Sequence, residues 1–388
     1  MTHQWSNIPL SLYIHVPWCE RKCPYCDFNS HQSKSIVDEG AYITELLNDL
    51  DQDIKDFGSA ISDRSIRSVF VGGGTPSLFS SQSYKRLFEQ LKDKLDISAT
   101  AEVTLEANPG SSEVEKFEGF RQAGINRLSI GVQSFNQSHL QKLGRVHNAQ
   151  EANNAAEFAR KAGFDNFNLD LMFGLPDQNI EQARQDLSKA ISLQPTHLSC
   201  YQLTIEPNTL FHHRPPVTPG DDELWDMQEA LQAILDSAGY QQYEVSAYGK
   251  PDHQCSHNLN YWNFGDYLGI GAGAHGKITT DEGVKRRWKI KHPTTYLSKE
   301  NKVGETTKIY GANLTFEFML NALRLNDGFK FDDFELKTGL SIETIQPLIE
   351  KHETLKLIEL NKAGLKPTKF GHNMLNNMLE DYLAAVKS

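Results

Sequence analysis

Three cysteines fall within eight residues: Cys19, Cys23 and Cys26, in the run CERKCPYCDF. The spacing C-x3-C-x2-C puts three thiols on one short loop. That loop directly follows SLYIHVP, residues 11–17, which reads as a buried β-strand. Cysteine thiolates on short loops hold iron–sulfur clusters. Four cysteines would fill every iron of a cubane; three leave one iron open to an outside ligand, the logic of a catalytic metal site. On the residues alone two alternatives stay open: a zinc site, with His31 as the nearest fourth ligand, and three plain thiols. The other two cysteines, Cys200 and Cys255, stand far along the chain. Five cysteines with three packed together do not make a disulfide framework, and they point to a reducing compartment. The expected localisation is cytoplasmic.

Six strand-like runs carry the polar residues that could surround such a loop. After residues 11–17 come SVFVGGG (68–74), EVTLEANP (102–109), RLSIGVQS (127–134), FNLDLMFG (167–174) and HLSCYQLT (197–204). Helical spacing fills the gaps at 38–57, 80–94, 113–123, 149–162 and 179–193, and again at 221–238, where Gly239 marks a stop. Strands alternating with helices predict a parallel sheet with right-handed crossovers. Polar and small residues gather at the strand ends, where barrel-type sheets place their sites. Six units, not eight, predict an α/β fold of the partial, open (β/α)6 TIM type; an open doubly wound sheet is the competing architecture.

The cysteine triplet after the first strand resembles the signature of radical S-adenosylmethionine (radical SAM) enzymes. The resemblance continues through YIHVPWCERKCPYCDF, GGGTPS, EANPG, IGVQSF, LGRVHN and NLDLMFGLP, in that order along nearly the whole chain. Together these look like the oxygen-independent coproporphyrinogen III oxidase-like group, most closely its haem chaperone branch. The family fold is a radical SAM partial barrel. The resemblance implies a [4Fe–4S] cluster on Cys19, Cys23 and Cys26, whose open iron takes the amino and carboxylate groups of S-adenosylmethionine (SAM). It assigns SAM contacts to Tyr13, Tyr25, the turn Gly73, Gly74 and Thr75, and to Glu106, Gln133, Arg145 and Asp170. Taken singly, each polar residue could equally be a satisfied buried group.

Two features depart from the oxidases of that group and resemble the chaperone branch. Phe28 stands where the oxidases carry a further cysteine, and the cluster strand begins at Ser11 with no room for their N-terminal extension. HNLNYW, residues 257–262, matches the branch's HNxxYW motif. Imidazole is a suitable iron ligand and aromatic rings offer flat apolar area to a porphyrin. His257 is therefore the candidate haem ligand, with Tyr261 and Trp262 as candidate walls; a structural histidine beside two core aromatics is the alternative. His275 is a second candidate ligand. Cys255 reads as buried and inert, or as a thiolate ligand or covalent anchor of haem, and Cys200 as core. The implied function is binding haem and passing it to acceptor haemoproteins. The enzymatic alternative is oxidative decarboxylation of coproporphyrinogen III in porphyrin biosynthesis.

The 388 residues carry 39 Lys and Arg against 50 Asp and Glu, a net charge of −11. That balance speaks against broad nucleic-acid binding and against a basic membrane-docking surface. No run of about 18 apolar residues occurs, so no transmembrane segment is expected, although a transient membrane contact is compatible with the sequence. Three regions are expected. Residues 1–240 form the barrel, 241–310 cover it and carry the HNxxYW motif, and 311–388 form a small α+β domain of winged-helix order. This last region holds 9 Lys and Arg against 11 Asp and Glu, a poor charge for reading DNA.

Overall fold

The computed structural model describes residues 4–33, 37–111 and 115–387. Its centre is a run of six parallel strands in sequence order: β1 (Leu10–Val16), β2 (Ile66–Gly73), β3 (Ile97–Ala107), β4 (Arg127–Gln133), β5 (Phe167–Phe173) and β6 (His197–Gln202). Helices return the chain between them, including Glu39–Phe57, Ser81–Lys94, Ala149–Lys161 and Ile180–Ser192. Their starts are written locally. Asp38 accepts from the Ala41 amide, and Asn148 and Asn179 form capping boxes with Glu151 and Gln182. The helix expected at 113–123 is observed at Phe117–Gln122; residues 113 and 114 lie outside the described residues.

The sheet does not stop at six strands. After the antiparallel pair β7 (Gln241–Glu244) and β8 (Ala247–Gly249) on the β6 edge, the chain crosses to the far side of β1. There β9 (Asp266–Ile270) pairs parallel to β1, and β10 (His275–Thr280), β11 (Gly283–Lys289) and β12 (Val303–Ile309) follow antiparallel. The seventh parallel strand comes from DYLGIGAG, whose glycines and lack of alternation hide it. Buried on both faces, all five of its residues read as a continuous run.

Buried charge fixes this extension to the barrel. Asp266 accepts from Lys277 Nζ at 2.6 Å, Arg64 Nη1 at 2.8 Å and the Thr279 amide at 2.9 Å. Although burial pushes its carboxyl up, Lys277 and Arg64 hold it below the ordinary aspartate range. On the other face, Lys289 and Arg287 bind Asp53 of the first long helix at 2.6 and 2.7 Å.

The C-terminal residues build a second apolar cluster around Phe318, Phe329, Phe334, Ile349 and Met378. Helices Gly311–Ala322, Phe331–Thr338, Gln346–Thr354 and Leu375–Lys387 pack there with three short strands: β13 (Phe329–Lys330), β14 (Ile358–Leu360) and β15 (Gly364–Pro367). β15 lies between the other two. Phe264 and Val284, from before residue 311, belong to the same cluster.

Candidate functional site

At the C-terminal ends of the parallel strands, the loop after β1 closes over a cavity of about 320 Å3. Cys19 is buried, Cys23 and Cys26 are half-buried, and all three line this cavity. The loop is held from within. The Cys26 amide donates to the Cys23 carbonyl at 3.2 Å, and the Lys22 ammonium donates to the carbonyls of Phe28 and Ser30, both at 3.2 Å. Arg145 reaches it from outside, with Nη1 3.7 Å from Cys23 Sγ and Nη2 donating to Asn108 Oδ1 at 2.5 Å. Burial raises the pKa of the Cys19 and Cys26 thiols, so protons would be displaced as metal bound. Among the described residues, no three His, Cys, Asp or Glu side chains converge as ligands of one ion. His31 lines an adjoining cavity, which Cys26 also borders.

The glycine turn after β2 is stitched to the loop. Gly74 N–H donates to Val16 O at 2.8 Å and Thr75 N–H to Trp18 O at 2.7 Å. A Cβ on Gly74 would stand 2.4 Å from the Trp18 carbonyl oxygen, so the approach requires glycine. Gly73 has φ 118° and donates its N–H to Glu106 Oε2 at 3.0 Å. Burial, then the nearby Asp170, raise the Glu106 pKa to about 7. Asp170 accepts from Ser129 at 3.1 Å and Asn168 at 2.7 Å. Gln133 carries φ 68° just past a register shift in β4, and its Oε1 accepts from the Tyr201 hydroxyl at 2.7 Å. A bulge beside a site re-aims a side chain in this way. Tyr25 packs with Tyr201 and Phe211 behind the loop.

Tyr25, Gly73, Gly74, Thr75, Glu106, Gln133, Arg145 and Asp170 therefore all line the cavity of the three thiols. Tyr13 does not. It faces a second, larger cavity of about 830 Å3, which adjoins the first across Cys26, Phe28, Gly73 and Glu106. His257, Tyr261, Trp262 and His275 line this second space.

His257 sits on the short helix Ser256–Trp262. Glu102 accepts from its amide at 3.2 Å and from the Cys255 thiol at 3.4 Å. Its ring lies 5.2 Å from Phe70 and 6.4 Å from Tyr13 by centroids. Burial, then the Arg127 charge, lower its pKa to about 3, so the imidazole is neutral. Nδ1 is 3.2 Å from Ser68 Oγ, while Nε2 has no hydrogen-bond partner among the described residues. The neighbouring His15 is differently placed. Its Nε2 donates to the Asn29 carbonyl at 2.9 Å, so Nδ1 accepts from the Tyr13 hydroxyl at 2.9 Å and both nitrogens are used. Tyr261 meets Trp262 edge-on at 4.8 Å and Tyr267 at 5.1 Å. His275 is exposed at the opening. Cys255 is fully buried outside both linings, its pKa raised to about 12, and Cys200 is core with the same value.

Sequence reasoning passed over His15, Lys22, Asn29, Asn108, Tyr201 and Lys291. His15 had a signal, since it stands two residues from Tyr13 on one strand and must share its face. Lys291 had none, because only folding brings it to the cluster loop.

Residues 13–190 match the radical SAM superfamily and 312–371 the HemN C-terminal domain. The chain is 50% identical to "Heme chaperone HemW" of Haemophilus influenzae over 97% of its own length and 98% of the relative's. It is 48% identical to the protein of that name from Escherichia coli, over 97% and 98%. The chain belongs to the HemW family. The structure "Coproporphyrinogen III oxidase (HemN) from Escherichia coli is a Radical SAM enzyme" superposes with a TM-score of 0.82 at 22% identity, covering 98% of this chain and 91% of that one. At that identity the likeness establishes the fold: a radical SAM partial barrel with a HemN-type C-terminal unit. No described helix is long and apolar enough to cross a membrane.

Proposed function

We propose that the chain is a haem chaperone: it binds haem in the second cavity and hands it to acceptor haemoproteins, with a [4Fe–4S] cluster and exchangeable SAM in the first. The relatives' name supports the class. The observation that carries the site is His257, a neutral imidazole with an unengaged nitrogen in an aromatic-walled space of about 830 Å3. That space falls within the range of about 300–1,000 Å3 typical of cofactor pockets. His257 is the proposed iron ligand, with Tyr261 and Trp262 as walls. Release to an acceptor requires reversible ligation, which a single neutral imidazole on a short helix beside the cavity would allow.

The first cavity suits the other two groups by its donors. Three thiols and no fourth cysteine line it. A cluster on Cys19, Cys23 and Cys26 would supply an iron at which SAM chelates and an electron to it. The chain's own residues would orient SAM. The Gly73–Thr75 turn presents backbone close to the ligand, Glu106 and Asp170 offer carboxyl groups, Gln133 and Tyr25 line the walls, and Arg145 braces Cys23. Tyr13, set in the second cavity, would brace His15 between the two. In this division residues 1–240 house the cofactors, 241–310 close the haem cavity and 311–388 back it.

Anaerobic reconstitution with iron and sulfide, followed by visible spectra with and without haem, tests the reading. The wild type should show a Soret shift that His257→Ala loses. No shift in the wild type, or an unaltered one in the variant, would defeat it. Incubation with coproporphyrinogen III separates the enzymatic alternative: formation of protoporphyrinogen with 5′-deoxyadenosine would establish the oxidase instead.

A further inference from the structure

The second cavity is chemically two-ended. Its inner end is aromatic, with His257, Phe70, Tyr261 and Tyr267. Its outer end is basic, and the structure builds that end from two distant parts of the chain. Asn29, on the cluster loop, donates its amide to the Ala272 carbonyl at 2.8 Å and the Lys291 carbonyl at 2.9 Å. Gly273, with φ 83°, makes this possible, because a Cβ there would stand 2.2 Å from Asn29 Nδ2. The tie sets Lys22 of the cluster loop and Lys291 of the strand hairpin on the same opening, with His275 beside them. Lys22 spends two of its three donors on the carbonyls of Phe28 and Ser30, which fixes the ammonium and leaves one N–H for a ligand.

We infer that Lys22, Lys291 and His275, brought to one rim by Asn29, receive the two propionate carboxylates of the porphyrin. Haem then enters with its apolar edge leading toward Phe70 and Tyr267. The inference rests on the reading of this cavity as the haem site and adds its orientation and the residues that select it. Asp27 and Glu106 are the only acids lining the cavity among the described residues, and Glu106 lies at the inner wall shared with the first cavity. At the rim the ammonium groups of Lys22 and Lys291 stand against the single carboxylate of Asp27. Partial enclosure of its ring and then Lys291 and Arg286 hold the otherwise exposed His275 below the ordinary histidine range, and partial enclosure, His292 and Lys22 do the same for His31. Carboxylates arriving there would meet charge-assisted donors at a solvated edge while the apolar macrocycle leaves water.

Haem and its dimethyl ester, titrated into the full-length protein in dilute detergent, separate the claims. Wild type should bind haem about tenfold more tightly than the ester, the contribution of a partly solvated charged pair. Lys291→Gln, whose side chain holds no part of the cluster loop, should reduce that preference by weakening haem alone, with the ester and the Soret position unchanged, and Lys22→Gln added to it should erase the remainder. Equal wild-type affinity for haem and ester, or undiminished haem affinity in the double variant, would overturn the inference and leave the haem site standing. Failure of wild type to bind either compound would instead remove the haem reading itself.

Discussion

Ser68 Oγ lies 3.2 Å from Nδ1 of His257, and that contact decides which nitrogen of the ring is left for the cavity. Ser68 is itself 2.7 Å from Ser11 Oγ on the neighbouring strand, so the orientation of the imidazole is set by the barrel's own sheet. Partners behind a ligating histidine typically tune metal affinity by about tenfold or more. Ser68→Ala should therefore weaken haem binding about tenfold while the Soret maximum stays where the wild type has it. His257→Ala should move the maximum. A shifted maximum in Ser68→Ala would mean that the serine does more than orient the ring.

Glu106 has a pKa near 7 and stands on the wall between the two cavities. Its folded value is raised, so the carboxyl is neutral below that pH and charged above it. SAM is a sulfonium cation, and the charged form attracts it. Affinity of the reconstituted protein for SAM should rise between pH 6 and pH 8, and Glu106→Gln should flatten that rise and weaken binding by roughly tenfold, the loss of one charge-assisted hydrogen bond. Calorimetric titration at three pH values in both proteins checks it.

The barrel was legible because its signals are local: alternating strands and helices, Asn caps and glycine-bearing strand ends. Cys19, Cys23 and Cys26 share a loop, and Glu106, Gln133 and Asp170 lie on the adjacent strands β3, β4 and β5, so their gathering follows from topology. The seventh parallel strand was not legible, because Asp266–Ile270 looks like a glycine-rich loop until Lys277, Arg64 and Thr279 neutralise its buried aspartate. Tyr13 was placed with the SAM contacts by resemblance. Its ring lines the second cavity, 5.9 Å from the His15 ring and 6.4 Å from that of His257, next to Gly73 and Glu106 of the wall the two cavities share.

Asp266 is a fully buried tether of that extension. Removing it leaves Lys277 and Arg64 buried without their counter-charge, and Arg64 and Lys277 side chains are only 3% and 1% exposed. Breaking a buried pair this way costs about 3–5 kcal/mol. Asp266→Ala should lower the urea midpoint accordingly and abolish haem binding, since Tyr267 sits on the same strand. An unchanged midpoint would show that water reaches the network.

Gly74→Ala tests the seam between the glycine turn and the cluster loop. The added methyl would lie 2.4 Å from the Trp18 carbonyl oxygen, which is backbone and cannot rotate away. Overpacking of this kind costs about 1–3 kcal/mol. The loop must shift, so iron and sulfide content after reconstitution should fall well below the wild type. Gly110, with open space around its Cα, is the control: Gly110→Ala should reconstitute normally.

His147 connects the site to acid stability. It is buried, its Nε2 donates to the Val132 carbonyl at 3.1 Å, and burial followed by the Arg145 charge lowers its pKa to about 3. The unfolded chain takes a proton near the ordinary histidine value of about 6.5, which the folded chain refuses. Stability contributed by the neutral ring is thus complete above that pH and is lost as pH falls toward 3. For one such histidine the loss at pH 5.5 is about 1.4 kcal/mol. Urea denaturation at pH 7.5 and 5.5 should show the wild type weakened at the lower pH. His147→Gln, which keeps a donor for Val132 without the titration, should lose about that much less over the same interval. If the two proteins lose stability in parallel, His147 is protonated in the folded state and its burial beside Arg145 does not exclude the charge.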